Sequence, residues 1–132
     1  MTYGSLSGGI LTGQFREIPD WPANDVRLSF YKGFRPDVFP RVMELMRTLD
    51  EIAAAHNAPV SQVAINWSTQ KTYVSTALVG VRSVRHVAEN IETFARKLSD
   101  NEMRKSTPSL RHFSWISFDF FVIAENDCKH HV

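Results

Sequence analysis

The stretch GVRSVRHVAEN, residues 80–90, contains the change from strand to helix that decides the fold. The preceding residues, VSTALV at 74–79, are mostly apolar or β-branched, and the run ends at Gly80, which predicts a buried strand. Ser83 is a favourable N-cap residue. The helix that it opens has apolar residues at spacings of three and four, which predicts one buried stripe: Val84, Val87, Ile91, Phe94 and Leu98.

Two helices are predicted ahead of this strand. The first has an apolar stripe at helical spacing and ends near His56 and Asn57; the stripe is Val38, Val42, Leu45, Met46, Leu49, Ile52 and Ala53. Pro59 opens the second, which runs to about Gln70. Its buried residues are predicted to be Val63, Ala64 and Trp67.

The N-terminal part combines a glycine-rich segment with a long loop. Residues 3–13, YGSLSGGILTG, predict the end of a strand entering a close-packed loop, where glycine lets backbone approach backbone or phosphate. Residues 17–40 contain four prolines and no clear period, which predicts a loop with aromatic anchors. These anchors are Trp21, Phe30, Tyr31 and Phe34.

The order of elements indicates an incomplete α/β sheet. Ser99 and Glu102 have the spacing of a capping box and predict a last helix, which we expect to end at Pro108. Strand, helices, strand and helix in this order predict a parallel α/β arrangement. Two parallel strands leave both edges open and bury little surface. We therefore expect a slice of a larger sheet.

Composition sets the broad class of protein. Of 132 residues, 43% are hydrophobic and 22% are charged, which is typical of a globular domain. The formal charge of +1 gives no reason to expect nucleic acid or an acidic membrane as a partner. A single cysteine, with no signal peptide or membrane-spanning run in the sequence, leads us to expect a cytoplasmic protein.

Residues 80–90 also have features of an anion site. The free N–H groups at a helix N-terminus bind anions, and Arg82 beside Ser83 adds a charged donor. Glu89 and Asn90, two turns later, offer an acceptor and an amide to a base edge. The residues predict an adenosine-phosphate site, and they leave open an ordinary capped surface helix with solvated arginines.

The pattern G-x-R-S-x-x-x-x-x-E-N resembles the cofactor signature of aldo-keto reductases. The resemblance implies that Arg82 and Ser83, after Gly80, hold the 2′-phosphate of NADPH, and that Glu89 and Asn90 meet the adenine. His86, also assigned to the cofactor site, stands where the family commonly has arginine or glutamine.

The N-terminal segment is similar to a second stretch of that family, often Y-S-P-L-x-G-G-L-L-T-G-K. The resemblance implies that Tyr3 stacks on the nicotinamide ring. It also implies that the following backbone, at Gly4, Leu6 and Ser7, cradles the pyrophosphate. Gln14 stands where lysine is common in the family. The cofactor is then NADP(H).

The resemblance also implies a fold and an activity. Residues 49–53 and 59–67 are similar to the seventh outer helix and the turn to strand eight, so the chain is expected to be a partial (β/α)8 TIM barrel. The function implied is NADP-dependent reduction of a small carbonyl compound in a complete barrel. The family's catalytic tyrosine, lysine, aspartate and histidine lie on earlier strands and match nothing here. An inactive fragment from a truncated or mis-started gene is therefore expected, the alternative being a non-catalytic nucleotide-binding or subunit-interaction module.

The C-terminal part departs from the family pattern. We assign residues 1–105 to the oxidoreductase domain and residues 106–132 to an atypical aromatic tail. A shifted reading frame, a lineage-specific extension and disorder remain open for this tail. Its Cys128, His130 and His131 form a loose ligand set without fixed geometry, and no metal site is expected there.

Overall fold

The computed structural model describes residues 1–111, and the side chains through Thr107. Within this range the α-helices are α1 (Val26–Phe30), α2 (Phe39–Ala55), α3 (Val60–Thr69), α4 (Val84–Ile91) and α5 (Asp100–Arg111). Short 3₁₀ helices cover Ser7–Thr12, Lys32–Phe34 and Glu92–Ala95. None of the helices in residues 1–111 is long and apolar enough to cross a membrane. Residues 112–132 of the predicted aromatic tail, with the Cys128, His130 and His131 set, lie outside the described residues.

The core is built on α2 and α3, as the spacing of apolar residues predicts. Six of the seven residues of the α2 stripe are buried, and Val38, which precedes the helix, is partly buried. Val63 and Ala64 of α3 pack into the same cluster, with Trp67 half-buried at its border. Each fully buried aliphatic side chain contributes about 2 kcal/mol by leaving water. The two predicted helices are therefore confirmed.

One parallel bridge joins the start of the chain to the predicted strand. The Thr2 N–H donates to the Thr76 carbonyl at 2.8 Å, and the Leu78 N–H donates to the Thr2 carbonyl at 2.9 Å. The parallel relation is confirmed, but the prediction of a buried strand at residues 74–80 is wrong. Only Ala77 is paired, and much of the segment is exposed. A strand needs a neighbour along its length, and among the described residues only Thr2 supplies one.

The predicted loop at residues 17–40 contains more structure than its prolines indicate. Asp25 caps α1 by accepting the Arg27 N–H at 2.9 Å. Trp21 and Phe34 pack edge to face with ring centroids 4.8 Å apart, and Phe15 packs against both. These two anchors are confirmed. Phe30 is wrong as an anchor, because 54% of its surface is exposed.

The predicted apolar stripe of the third helix is not buried. Val84, Val87, Ile91 and Phe94 are 87%, 42%, 64% and 72% exposed, and only Leu98 is buried. Helix α4 packs on α3 through its opposite, polar side, where His86, Glu89 and Asn90 are half-buried. Spacing shows that a helix has an apolar face, but not that the face has a partner. Among residues 1–111 no element covers it.

The capping box at the start of α5 is confirmed. Glu102 accepts the Ser99 backbone N–H at 2.7 Å, and Ser99 Oγ accepts the Glu102 N–H at 3.3 Å. Glu102 also contacts His56 Nε2 at 2.8 Å, which ties α5 to the end of α2. The predicted end at Pro108 is wrong, since α5 continues to Arg111. A helix that is anchored by packing tolerates the loss of one backbone hydrogen bond at proline.

The Glu102 contacts predict a pH-dependent contribution to stability. Partial burial raises the pKa of this carboxyl, but hydrogen bonds from Ser99 and His56 outweigh burial and leave the pKa below its ordinary value of 4.5. Because the folded state lowers the pKa, the stabilisation is present above that ordinary value and is lost as the pH falls through the lowered pKa. Urea unfolding of Glu102→Gln should show a loss of about 1 kcal/mol near neutral pH.

The loss of unfolding free energy in Glu102→Gln, relative to the parent chain, should be smaller in acid than near neutral pH. Glu51→Gln, at an exposed position of α2, is the matched control and should leave the free energy of unfolding unchanged within error. An equal loss for Glu102→Gln at neutral and acid pH would contradict the prediction.

Candidate cofactor site

The parallel bridge brings the two predicted cofactor segments to one edge. Parallel chains leave a bridge in the same direction, so the residues after Thr2 and after Ala77 emerge side by side. Ser5 is buried and its Oγ donates to the Leu78 carbonyl at 3.3 Å, which adds a link just beyond the bridge. Tyr3 and Gly80 therefore begin two loops that share one edge.

The first loop is a series of tight turns. The Ser7 N–H donates to the Gly4 carbonyl at 2.7 Å, and Gly9 N–H donates to the Leu6 carbonyl at 2.9 Å. Gly4 and Ser7 both have positive φ, at 73° and 47°. Tyr3 is 66% exposed, while Leu6 packs against the core. A compact backbone with an exposed aromatic ring is what the resemblance implies for this segment.

Gly8 is required where the loop meets the aromatic segment. Its φ is +64°, a conformation that costs an L-residue about 1–2 kcal/mol. A Cβ at this position would lie 2.5 Å from the Tyr31 ring. Tyr31 thus packs directly on the loop backbone.

The second loop ends in a capped helix N-terminus. Ser83 has an extended backbone, and its Oγ accepts the His86 N–H at 3.3 Å, so the predicted cap is confirmed. His86 Nδ1 in turn accepts the Arg82 N–H at 3.4 Å and closes the turn. The Arg82 and Ser83 side chains are exposed. The first N–H groups of α4 have no partner in the helix, so this end carries partial positive charge beside Arg82.

Glu89 and Asn90 lie in the last turn of α4, at the opposite end from Ser83. Both are half-buried on the side that faces α3. Glu89 Oε1 is 3.5 Å from Arg85 Nε, an ion pair across one helical turn. The pair predicted to meet the adenine is thus partly engaged within the chain.

Comparison with known proteins assigns the family. A model of the aldo/keto reductase family matches residues 1–109, most of the chain. The chain belongs to the aldo/keto reductase family. Aldo/keto reductases are oxidoreductases with a (β/α)8 barrel that use nicotinamide cofactors.

Three curated relatives support this assignment. Aldo-keto reductase str7 of Strobilurus tenacellus is 29% identical over 103 residues, 78% of this chain and 30% of its own. Aldo-keto reductase yakc [NADP(+)] of Schizosaccharomyces pombe is 26% identical, over 78% of this chain and 30% of its own. The chloroplastic pyridoxal reductase of Arabidopsis thaliana is 32% identical, over 77% and 26%. The chain therefore spans less than a third of the length of these aldo/keto reductases.

Sequence reasoning missed Gln62, the residue that bonds to the last turn of α4 at Glu89. Gln62 of α3 is 3% exposed, and its Nε2 donates to the Glu89 carbonyl at 2.7 Å. For residues 59–67 the sequence predicts a helix with buried apolar residues and no role in the site. A signal was present, since amide side chains recur every four residues at Gln62, Asn66 and Gln70, beside the buried apolar residues of the same helix.

The Gly8 contact predicts a stability loss in the first loop. Gly8→Ala should destabilise this aldo/keto reductase chain by about 1–3 kcal/mol, because strain at positive φ adds to displacement of the Tyr31 ring. Chemical denaturation measures the change. Gly80→Ala is the matched control, since no atom lies within 4 Å of its would-be Cβ and its φ is not positive. Equal losses of stability for Gly8→Ala and Gly80→Ala would contradict the requirement for glycine at position 8.

Proposed function

We propose that this chain is the C-terminal, cofactor-holding portion of an NADP(H)-dependent aldo/keto reductase. The observation that carries the proposal is the Thr2–Ala77 bridge, which brings both cofactor segments to one edge. The family match covers both segments. In this proposal the chain supplies strands seven and eight of a (β/α)8 barrel and their helices. The cofactor-binding residues are Tyr3, Gly4, Leu6, Ser7, Gly80, Arg82, Ser83, His86, Glu89 and Asn90.

The residues of the first loop and the second loop fit the chemistry of a nicotinamide dinucleotide. The exposed Tyr3 ring offers a flat face for the nicotinamide. The space beside Gly80 is open, so a phosphate can approach the backbone closely. Arg82 donates to the 2′-phosphate together with the Ser83 hydroxyl, and the N-terminal dipole of α4 adds to their attraction.

Reduction of a small carbonyl compound requires more than this chain supplies. The bound nicotinamide would supply the hydride, and the protein has to position the carbonyl and provide a proton. None of the ten proposed cofactor-binding residues donates that proton in this proposal. The chain also spans less than a third of the length of its curated relatives. We propose a cytoplasmic protein that has no reductase activity by itself and acts only in a complete barrel.

A second candidate function is a subunit-interaction module. The apolar side of α4, formed by Val84, Val87 and Ile91 and continued by Phe94 of the next 3₁₀ helix, is exposed in the described part of the chain. Scattered exposed apolar residues are normal, but a contiguous apolar side on one helix is typical of an interface. The occupant that fits is the remainder of an aldo/keto reductase barrel, because the open edge at Ala77 and this side lie on consecutive elements. Such a module binds its partner with or without nucleotide.

Reversal of the charge at Arg82 tests the cofactor site. Titration of NADPH against the purified chain, followed by nicotinamide fluorescence, should give saturable binding. Arg82→Glu should weaken it at least about tenfold, since a hydrogen bond to a charged group contributes about 1.5–3 kcal/mol. Arg47→Glu, the same charge change at an exposed position of α2, should leave the dissociation constant unchanged.

Two outcomes would contradict the cofactor assignment. One is no binding to the parent chain, and the other is equal weakening by Arg82→Glu and Arg47→Glu, which indicates attraction by net charge alone. Absence of nucleotide binding would favour the interaction module.

A turnover assay tests the proposal that the chain is an incomplete enzyme. The purified chain with NADPH and a generic aldehyde should oxidise no cofactor above the rate of a protein-free control, measured by absorbance of the reduced nicotinamide. The physical reason is that a bound cofactor without a positioned proton donor receives no general acid catalysis. That catalysis contributes a factor of about 10²–10⁴ to the rate. Enzymatic turnover that copurifies with the chain would overturn this prediction.

A further inference from the structure

Helix α3 and Gln70, the residue that follows it, carry three amide side chains along one side. Gln62, Asn66 and Gln70 are spaced by four residues, so they lie in one row. Gln62 and Asn66 are only 3% and 5% exposed. A buried amide is unfavourable unless it is hydrogen-bonded, so the partners of this row show what it holds in place.

Both ends of the Gln62 amide are hydrogen-bonded. Its Nε2 donates to the Glu89 carbonyl at 2.7 Å and lies 3.4 Å from a Glu92 carboxylate oxygen. Its Oε1 accepts from Arg96 Nη1 at 2.8 Å. Gln62 therefore joins α3 to the last turn of α4 and to the segment that follows.

The other two amides bind the same segment farther along. Asn66 Nδ2 donates to the Thr93 and Arg96 carbonyls at 2.8 and 2.7 Å. Gln70 takes both backbone groups of Leu98, with Nε2 donating to its carbonyl at 3.0 Å and Oε1 accepting its N–H at 2.6 Å. The three amides thus pair with residues 89–98 in order along the chain.

The Gln62 contact matters most for α4. The Glu89 carbonyl is one of the last four in α4: the Glu92 N–H bonds to the Ala88 and Asn90 carbonyls, and Gln62 Nε2 bonds to that of Glu89. The apolar side of α4 is uncovered in the described residues, so apolar packing does not fix the orientation of the helix. The hydrogen bond from Gln62 to the Glu89 carbonyl ties α4 to α3 instead.

We propose that Gln62 is a positioning residue for the adenosine end of the cofactor, because it fixes the last turn of α4 at Glu89. This inference rests on the proposed function. A rigid helix of eight residues is about 12 Å long, so fixing its last turn also fixes Ser83 and Arg82 at the other end. Gln62 touches no cofactor atom in this role.

The expected effect follows from the population of correctly oriented helix. When only a fraction of molecules has α4 in the binding orientation, the apparent dissociation constant rises by the inverse of that fraction. Loss of the Gln62 amide should reduce this fraction without removing a contact to the cofactor. Loss of the Gln70 amide removes two hydrogen bonds, against three for Gln62, at a point nine residues beyond Glu89.

The experiment compares Gln62→Met with Gln70→Met in the full chain. Methionine keeps the length of glutamine and removes its hydrogen bonds. Titration of 2′,5′-ADP by calorimetry should show about tenfold weaker binding for Gln62→Met and less than about twofold for Gln70→Met. Hydrogen exchange should accelerate in α4 for Gln62→Met, and near Leu98 for Gln70→Met. Gln62→Asn, with an amide too short to reach Glu89, replaces Gln62→Met if that variant does not fold.

The two measurements separate the inference from the proposed function. Unchanged hydrogen exchange in α4 of the Gln62→Met variant would overturn the positioning role, whether or not 2′,5′-ADP binds. Faster exchange in α4 together with unchanged 2′,5′-ADP binding would overturn it as well. No binding of 2′,5′-ADP by the parent chain would overturn the proposed function, and with it the role of Gln62 in cofactor binding.

Discussion

Two backbone hydrogen bonds at Thr2 are the constraint on which the candidate site depends. They pair Thr2 with Thr76 and Leu78, which lie more than 70 residues later in the sequence. The two paired segments run parallel. Closing a loop of this length costs several kcal/mol of chain entropy, which two hydrogen bonds alone do not supply. The core between α2 and α3 offsets that cost, because both helices lie within the loop that the bridge closes.

The parts of the fold that were predictable from sequence are those whose evidence is local. The stripe of α2, the cap at Ser83 and the capping box at Ser99 each depend on residues within a turn or two, and all three are confirmed. The strand at residues 74–80 and the buried side of α4 depend on distant partners. One sequence shows that a segment is suited to pairing or burial, but it does not show whether a partner is present.

The candidate site shows the same division. The cap at Ser83 was predictable because a cap is a local feature, and Arg82, Ser83 and Tyr3 lie at exposed positions of the two loops. The bond between Gln62 and Glu89 crosses 27 residues and was not predicted. An amide on an apolar helix indicates a buried hydrogen bond, but its partner is visible only once α3 and α4 are packed together.

Helix α4 has two sides with opposite functions in this picture. Its polar side faces α3, where Gln62 Nε2 donates to the Glu89 carbonyl, while its apolar side is exposed in the described residues. An isolated amphipathic helix would bury the apolar side against the nearest core, because burial is worth about 25 cal/mol per Å² of apolar surface. We propose that the Gln62 amide opposes this rotation, because it bonds to the Glu89 carbonyl on the side that faces α3. The orientation that presents Arg82 and Ser83 to a phosphate is therefore the same orientation that leaves an apolar surface for the rest of a barrel, and the two proposed properties of α4 have one physical cause.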